Sequence, residues 1–181
     1  MVEEPAADEA WERGFRDWIR LNERYLDDRI VDAAPGDRAL GWYRAVYSQN
    51  GAMPGSSLAE LALEAGRRVL PRALEIVKSD IRSVPSQGLH LALEEGPVDH
   101  LGSANGIFLL GNRLISTATA DAVIEIAEIV QEEVLGVLMQ FWPSCPEHNA
   151  ATYAALVEET PVWWCRTGDH ALREIGEGCS S

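Results

Sequence analysis

"GIFLLGNRLIS", residues 106–116, decides the fold class. Two short apolar runs flank Gly111-Asn112, and that pattern predicts an antiparallel hairpin closed by a two-residue loop. Upstream, "LHLALEE" (89–95) alternates apolar and polar residues, as a half-buried strand does. Downstream, Thr119 or Asp121 opens a helix that the pattern carries to Trp142, with Pro143 as its stop. Val123, Ile126, Ala127, Val130, Val134, Val137, Leu138 and Phe141 fall on one stripe of that helix. A hairpin beside a long amphipathic helix is an α+β pattern.

Before the hairpin the texture is helical. From Asp8 onward Trp11, Phe15, Trp18, Ile19, Tyr25, Leu26 and Ile30 recur at three or four residues, which predicts one amphipathic helix. Its wet face interleaves acids with Arg13, Arg16, Arg20 and Arg24, and "DAAPGD" (32–37) stops it. A second short helix holds Leu40, Trp42, Tyr43 and Val46, and "SQNGAMPGSS" (48–57) reads as a loop. Ser56 or Ser57, with Glu60 in capping-box position, opens a third helix. Pro71 either kinks that helix or begins a new one. In the tail, residues 149–160 are polar and Ala-rich, and "PVWWC" (161–165) and "ALREI" (171–175) flank a turn at "RTGD". The expected architecture is therefore N-terminal helices, a small antiparallel sheet with a Gly-Asn hairpin, a long packed helix and a C-terminal β-hairpin. The texture changes near residue 84, separating a helical half (1–83) from the sheet, long helix and tail (84–181) within one compact domain.

Composition narrows the function classes. The 181 residues are 46% hydrophobic, enough to bury a core, and carry 29 acids against 15 bases, a net charge of −14. So acidic a surface repels phosphate backbones and anionic lipid, which argues against nucleic-acid and membrane partners and allows a basic protein partner. Lys78 is the sole lysine among the basic residues, a bias typical of GC-rich genomes. Three cysteines in no framework spacing point to a reducing cytoplasm. "MVEEPAADEAWERGF" has neither the basic start nor the apolar run of a secretory signal or anchor.

The chemistry-bearing residues cluster late. Cys145-x2-His148 in "FWPSCPEHN" is followed, after sixteen intervening residues, by Cys165-x4-His170 in "VWWCRTGDH". Short pairs deliver two ligands from one turn, and two such pairs make a zinc-ribbon-like Cys2His2 arrangement with no open coordination position. Three readings stay open here. The set binds a structural zinc; or the cysteines are small buried hydrophobes and the histidines surface residues; or a thiol is a catalytic nucleophile. Against the last, Cys145 follows a helix C-terminus, where the dipole raises a thiol pKa, and Cys165 has no base but His170. No phosphate loop, nucleophile elbow or His-Glu-x-x-His motif is present. Cys179 is a spare thiol, a fourth ligand if one histidine is not. Elsewhere His90 reads as a surface residue, and Asp99-His100 as a solvated loop pair. Glu125, Glu128, Glu132 and Glu133 read as the wet face of the long helix. Of Trp163 and Trp164, on opposite strand faces, one is expected inside.

The tail also carries a resemblance. Trp142, Pro143, Cys145, Pro146 and His148, with Trp163, Cys165, Ile175 and Gly176, resemble the ending of a group of short, uncharacterised actinobacterial proteins. Those end in an acidic helix, a Trp-Pro-x-Cys-Pro-x-His turn and a Trp-x-Cys strand, over about the last third of this chain. A further histidine and proline often follow the first pair in that group, and "NAATYAAL" (149–156) has neither. The resemblance implies that the tail is a unit and implies no activity. The expectation is a cytoplasmic interaction, adaptor or assembly protein, leaning away from an enzyme, with Cys145, His148, Cys165 and His170 pinning its tail with or without zinc. Its alternatives are a small-molecule binder or enzyme using His90, His100 and Asp99 between the helical half and the sheet, and a homo-oligomeric structural subunit.

Overall fold

Leu109 pairs with Asn112 across the first hairpin, so the two loop residues are Leu110 and Gly111, one position earlier than Gly111-Asn112. Both have positive φ, 51° and 79°, as the tight turn matching the strand twist demands, and glycine meets the second requirement at no steric cost. The hairpin is thus present as expected, with its register moved by one residue. A computed structural model describes residues 7–82, 89–98 and 105–178. It is α+β, with N-terminal helices, a three-stranded antiparallel sheet, a long helix and a C-terminal sheet. The chain divides into two compact units: Met1–Leu63 with Pro97–Asn105, and Glu64–Gly96 with Gly106–Ser181.

In the first unit the predicted single helix is three pieces. Helix α1 (Ala7–Leu21) ends where the buried Asn22 turns its amide back to donate to the Trp18 carbonyl, 2.8 Å. A 3-10 turn follows (Glu23–Tyr25), and Asp27 caps the short α2 (Asp28–Val31) by accepting from the Arg29 amide. The apolar period survives the break because Phe15, Trp18, Ile19, Leu26 and Ile30 are all buried. Helix α3 (Gly41–Asn50) absorbs the start of the expected loop, which shrinks to residues 51–54. Trp18 donates its indole N–H to the Met53 carbonyl within that loop, 2.8 Å.

Helix α4 (Gly55–Ile81) starts one to two residues before the expected serine caps, and its first bond runs from the Leu58 amide to the Pro54 carbonyl. It continues unbroken through Pro71, so the proline neither ends it nor begins a second helix.

Three sheets follow among the described residues. Strands β1 (Leu93–Pro97), β2 (Asn105–Leu109) and β3 (Asn112–Leu114) lie in that order, β1 starting later than the alternation of 89–95 implied. Helix α5 (Thr119–Leu138) packs against β3 and against two later strands, burying Val123, Ile126, Val130 and Val134. It stops four residues before Trp142 because Met139 adopts the left-handed conformation (φ 52°) and closes the last turn on Leu135. Pro143 is not the stop. The stripe fails on either side of that cap, where Val137 and Phe141 are exposed at 46% and 67%. Glu125, read as a solvated acid, instead accepts the backbone amides of Ile115 and Ser116 at 3.0 Å each, tying α5 to the end of β3.

The tail is larger than one hairpin. A two-stranded pair, β4 (Ser144–Cys145) and β5 (Ala150–Ala151), precedes a meander of β6 (Tyr153–Val157), β7 (Thr160–Cys165) and β8 (His170–Glu174). Strand β6, unrecognised in the Ala-rich segment, pairs over its whole length with residues 160–164 of β7 through a loop of Glu158 and Glu159. Trp163 is fully buried and Trp164 only partly, as alternation along a strand requires.

Asp80, 0% exposed near the end of α4, fastens the meander. Its carboxylate accepts from the Trp163 indole at 2.7 Å, from the Arg173 guanidinium at 2.6 Å and from the Gly178 amide at 2.9 Å. Asp80→Asn keeps the shape but leaves the largely buried Arg173 without its counter-charge, and should cost about 3 kcal/mol or more by chemical denaturation. Glu158 and Glu159 both hold positive φ, 48° and 68°, which costs side-chain-bearing residues about 1 kcal/mol each. Replacing the pair with Asn-Gly should therefore stabilise the fold by about 1 kcal/mol, read as a raised midpoint in the same experiment.

Candidate metal centre

The two Cys/His pairs fall on two loops of equal length. Cys145 closes β4 and pairs with Ala150, leaving residues 146–149 as the loop. Cys165 closes β7 and pairs with His170, leaving residues 166–169. The fourth residue of each loop is left-handed, Asn149 at φ 46° and Asp169 at φ 49°. Asn and Asp tolerate that conformation better than other side-chain-bearing residues, so each loop turns at a residue suited to it. The first loop presents its histidine from within, at the third position after the cysteine. The second presents His170 as the first residue of the returning strand.

Four ligand atoms converge as a result, all within 4.8 Å of one another. Cys145 Sγ lies 3.4 Å from His148 Nδ1 and 3.5 Å from His170 Nε2, and Cys165 Sγ lies 3.7 Å from the same His148 nitrogen. A tetrahedral zinc, with Zn–S about 2.3 Å and Zn–N about 2.0 Å, sets its ligand atoms roughly 3.3–3.8 Å apart, so these separations suit it. Two thiols and two imidazoles are a donor set for zinc, not for calcium or magnesium, which take oxygen ligands. Both cysteines are buried and free, at 1% and 0% exposure, while His148 is exposed and His170 partly so.

Electrostatics at the first thiol run opposite to the helix-dipole expectation. Burial pushes the Cys145 thiol up, but hydrogen bonds from the His148 side chain and backbone, the His170 side chain and the Glu147 backbone outweigh it, bringing the thiol to about 6. Helix α5 ends at Leu138, seven residues earlier, and its dipole fades within the last turn. The site therefore favours a thiolate, which is the form that binds metal.

Two features outside the ligands hold this geometry. Gln131 on α5 donates to the Trp142 carbonyl at 2.9 Å and to the Thr152 carbonyl at 2.6 Å, and Thr152 Oγ1 donates to the Pro143 carbonyl at 2.8 Å. These bonds bracket the first loop and fix its base. Gly168 then opens room in the second loop for the His148 ring. A Cβ there would lie 2.2 Å from His148 Cε1, 2.8 Å from its Nδ1 and 2.9 Å from His170 Cδ2.

Among the described residues no other group of three or more His, Cys, Asp or Glu converges in this way. His90 is exposed and lies outside the strand expected to carry it. Asp99, His100 and Cys179 lie outside the described residues. Gln131 carries no signal in the sequence, and Gly168 is legible there only as part of the turn that returns His170, not as the space for the His148 ring. No helix among the described residues is long and apolar enough to cross a membrane. Compared with protein families, with curated proteins and with solved structures, the chain matches none.

Gly168→Ala removes the space that His148 occupies without touching a ligand. It should weaken cobalt(II) binding at least roughly tenfold and disturb the tetrahedral visible spectrum, leaving the rest of the fold intact by circular dichroism. An unchanged cobalt titration would remove His148 from the ligand set.

Proposed function

We propose that the chain is an interaction protein of the adaptor or assembly kind, whose C-terminal module is pinned by a structural zinc held by Cys145, His148, Cys165 and His170. The observation that carries this reading is the convergence of two sulfur and two nitrogen atoms within 4.8 Å from two equal loops. With four protein ligands no coordination position remains for substrate, so the metal acts on folding and not on chemistry. Its work is to lock β4 and its loop onto the β7–β8 turn. The net charge of −14 supports a protein partner over nucleic acid or an anionic membrane, and free buried thiols fit a reducing cytoplasm. The resemblance of the tail to actinobacterial proteins ending in the same Trp-Pro-x-Cys-Pro-x-His turn supports treating it as one unit.

Elemental mass spectrometry of the purified protein tests this directly. The expected result is about one zinc per chain, with Cys145 and Cys165 unreactive to thiol reagents until zinc is chelated or the protein is unfolded. Cys145→Ser should then lose the metal and destabilise the protein by several kcal/mol, about as much as a strong chelator destabilises the wild type. Absence of metal together with an unchanged melting curve for Cys145→Ser would overturn the reading.

A further inference from the structure

We infer that the C-terminal end of α5, with the segment that follows it, docks a cationic amphipathic segment of a protein partner. Leu135, Val137, Met139 and Phe141 are exposed there at 39%, 46%, 84% and 67%, four large apolar side chains within seven residues. So dense a cluster on a water-facing helix end is the centre of an interface, not the scatter expected of an ordinary surface. Met139 supplies a flexible, polarisable contact that adapts to a partner.

The charge around this cluster specifies the partner. A helix C-terminus carries about half a negative charge and is ordinarily answered by Lys, Arg or His in the last turn. The last turn of α5 has no basic residue, and Glu132 and Glu133 stand just before it. Nor is the deficit made up nearby in sequence. Residues 114–165 contain no Lys or Arg and eight acids: Asp121, Glu125, Glu128, Glu132, Glu133, Glu147, Glu158 and Glu159. The crowding is felt within the helix, where the Glu128 carboxyl is pushed up first by partial desolvation and then by the Glu125 and Glu132 charges. A second copy of this chain would bring the same negative face and be repelled. A basic helix with one apolar stripe satisfies both halves of the surface, its leucine-like residues on Met139 and Phe141 and its cations on Glu132, Glu133 and the open helix end. Such charge matching steers association and makes it sensitive to salt.

This inference rests on the interaction-protein reading but not on the metal, so metal content and binding are measured separately. The probe is a synthetic helical peptide of leucine and lysine, with a leucine–glutamate peptide as control, titrated into the full chain at physiological ionic strength. The expected result is that the cationic peptide alone binds, and that Met139→Ser/Phe141→Ser and Glu132→Gln/Glu133→Gln each weaken it by about tenfold or more. Asp17→Asn/Glu60→Gln, which removes the same charge elsewhere, should leave it within about twofold. These sites are exposed or half-exposed, so the variants should keep the wild-type melting temperature. Equal loss in all three variants, or none in any, would mean that net charge alone attracts the peptide and would overturn the inference. So would a wild-type chain that ignores the peptide yet forms a dimer dispersed by Met139→Ser/Phe141→Ser. A zinc-loaded protein that fails to bind would sink the docking surface while leaving the pinned module standing.

Discussion

The fully enclosed carboxylate of Asp80 is the constraint on which the second unit turns. A bare charge at that depth is untenable, so the chain must bring donors to it, and it brings three from three places: Trp163, Arg173 and Gly178. Satisfying one helix residue thereby sets the position of the middle strand, the last strand and the chain beyond it. Ser79 adds to the same seam, its hydroxyl lying 2.8 Å from the Gly176 carbonyl. The Trp163 ring, oriented by its bond to Asp80, meets Trp142 edge to face at 5.3 Å. Two residues along β7 stands Cys165. The Cys/His cluster is therefore built on a polar anchor at one side and on Gln131 of α5 at the other.

How much of this was legible follows from what kind of signal each element sends. The α5 stripe and the first hairpin were readable because their periods are long or their glycine conspicuous. The slip of one residue in the hairpin arose because Leu110 takes a left-handed conformation that Asn-Gly statistics assign to asparagine. Strand β6 was invisible for a related reason. Its turn is made by two glutamates in strained backbone, and nothing in their chemistry announces a turn. The split of the first helix at Asn22 was hidden because the apolar period runs on through the break.

Charged residues misled in a consistent way. An acid on an amphipathic helix is ordinarily at the water face, as Glu125 was read, and both Glu125 and Asp80, which drew no reading, depart from that rule. Asp80 is bonded to groups more than 80 residues away, and Glu125 turns back to the backbone just after β3, ten residues before it. The four converging Cys and His residues were legible because soft donors in paired, short spacing are rare. Their support was not, since Gln131 and Gly168 act through a carbonyl and through an absence of atoms. The thiolate preference of Cys145 came out opposite to expectation because the helix ends early and two imidazoles take its place as neighbours.

The separations of these contacts along the chain also rank them by the entropy each closure costs. The bonds within the Cys/His cluster close loops of 25 residues or fewer, whereas the Trp163–Asp80 bond closes one of 83. Loop-closure entropy makes the longer closure costlier by about 1 kcal/mol before any contact rewards it. The hairpins of the tail, with all four Cys and His residues aboard, are therefore local closures, and bringing α4 to them is a long-range one. The Cys/His cluster is thus assembled from near neighbours in the chain, and the seat of the buried carboxylate from remote ones.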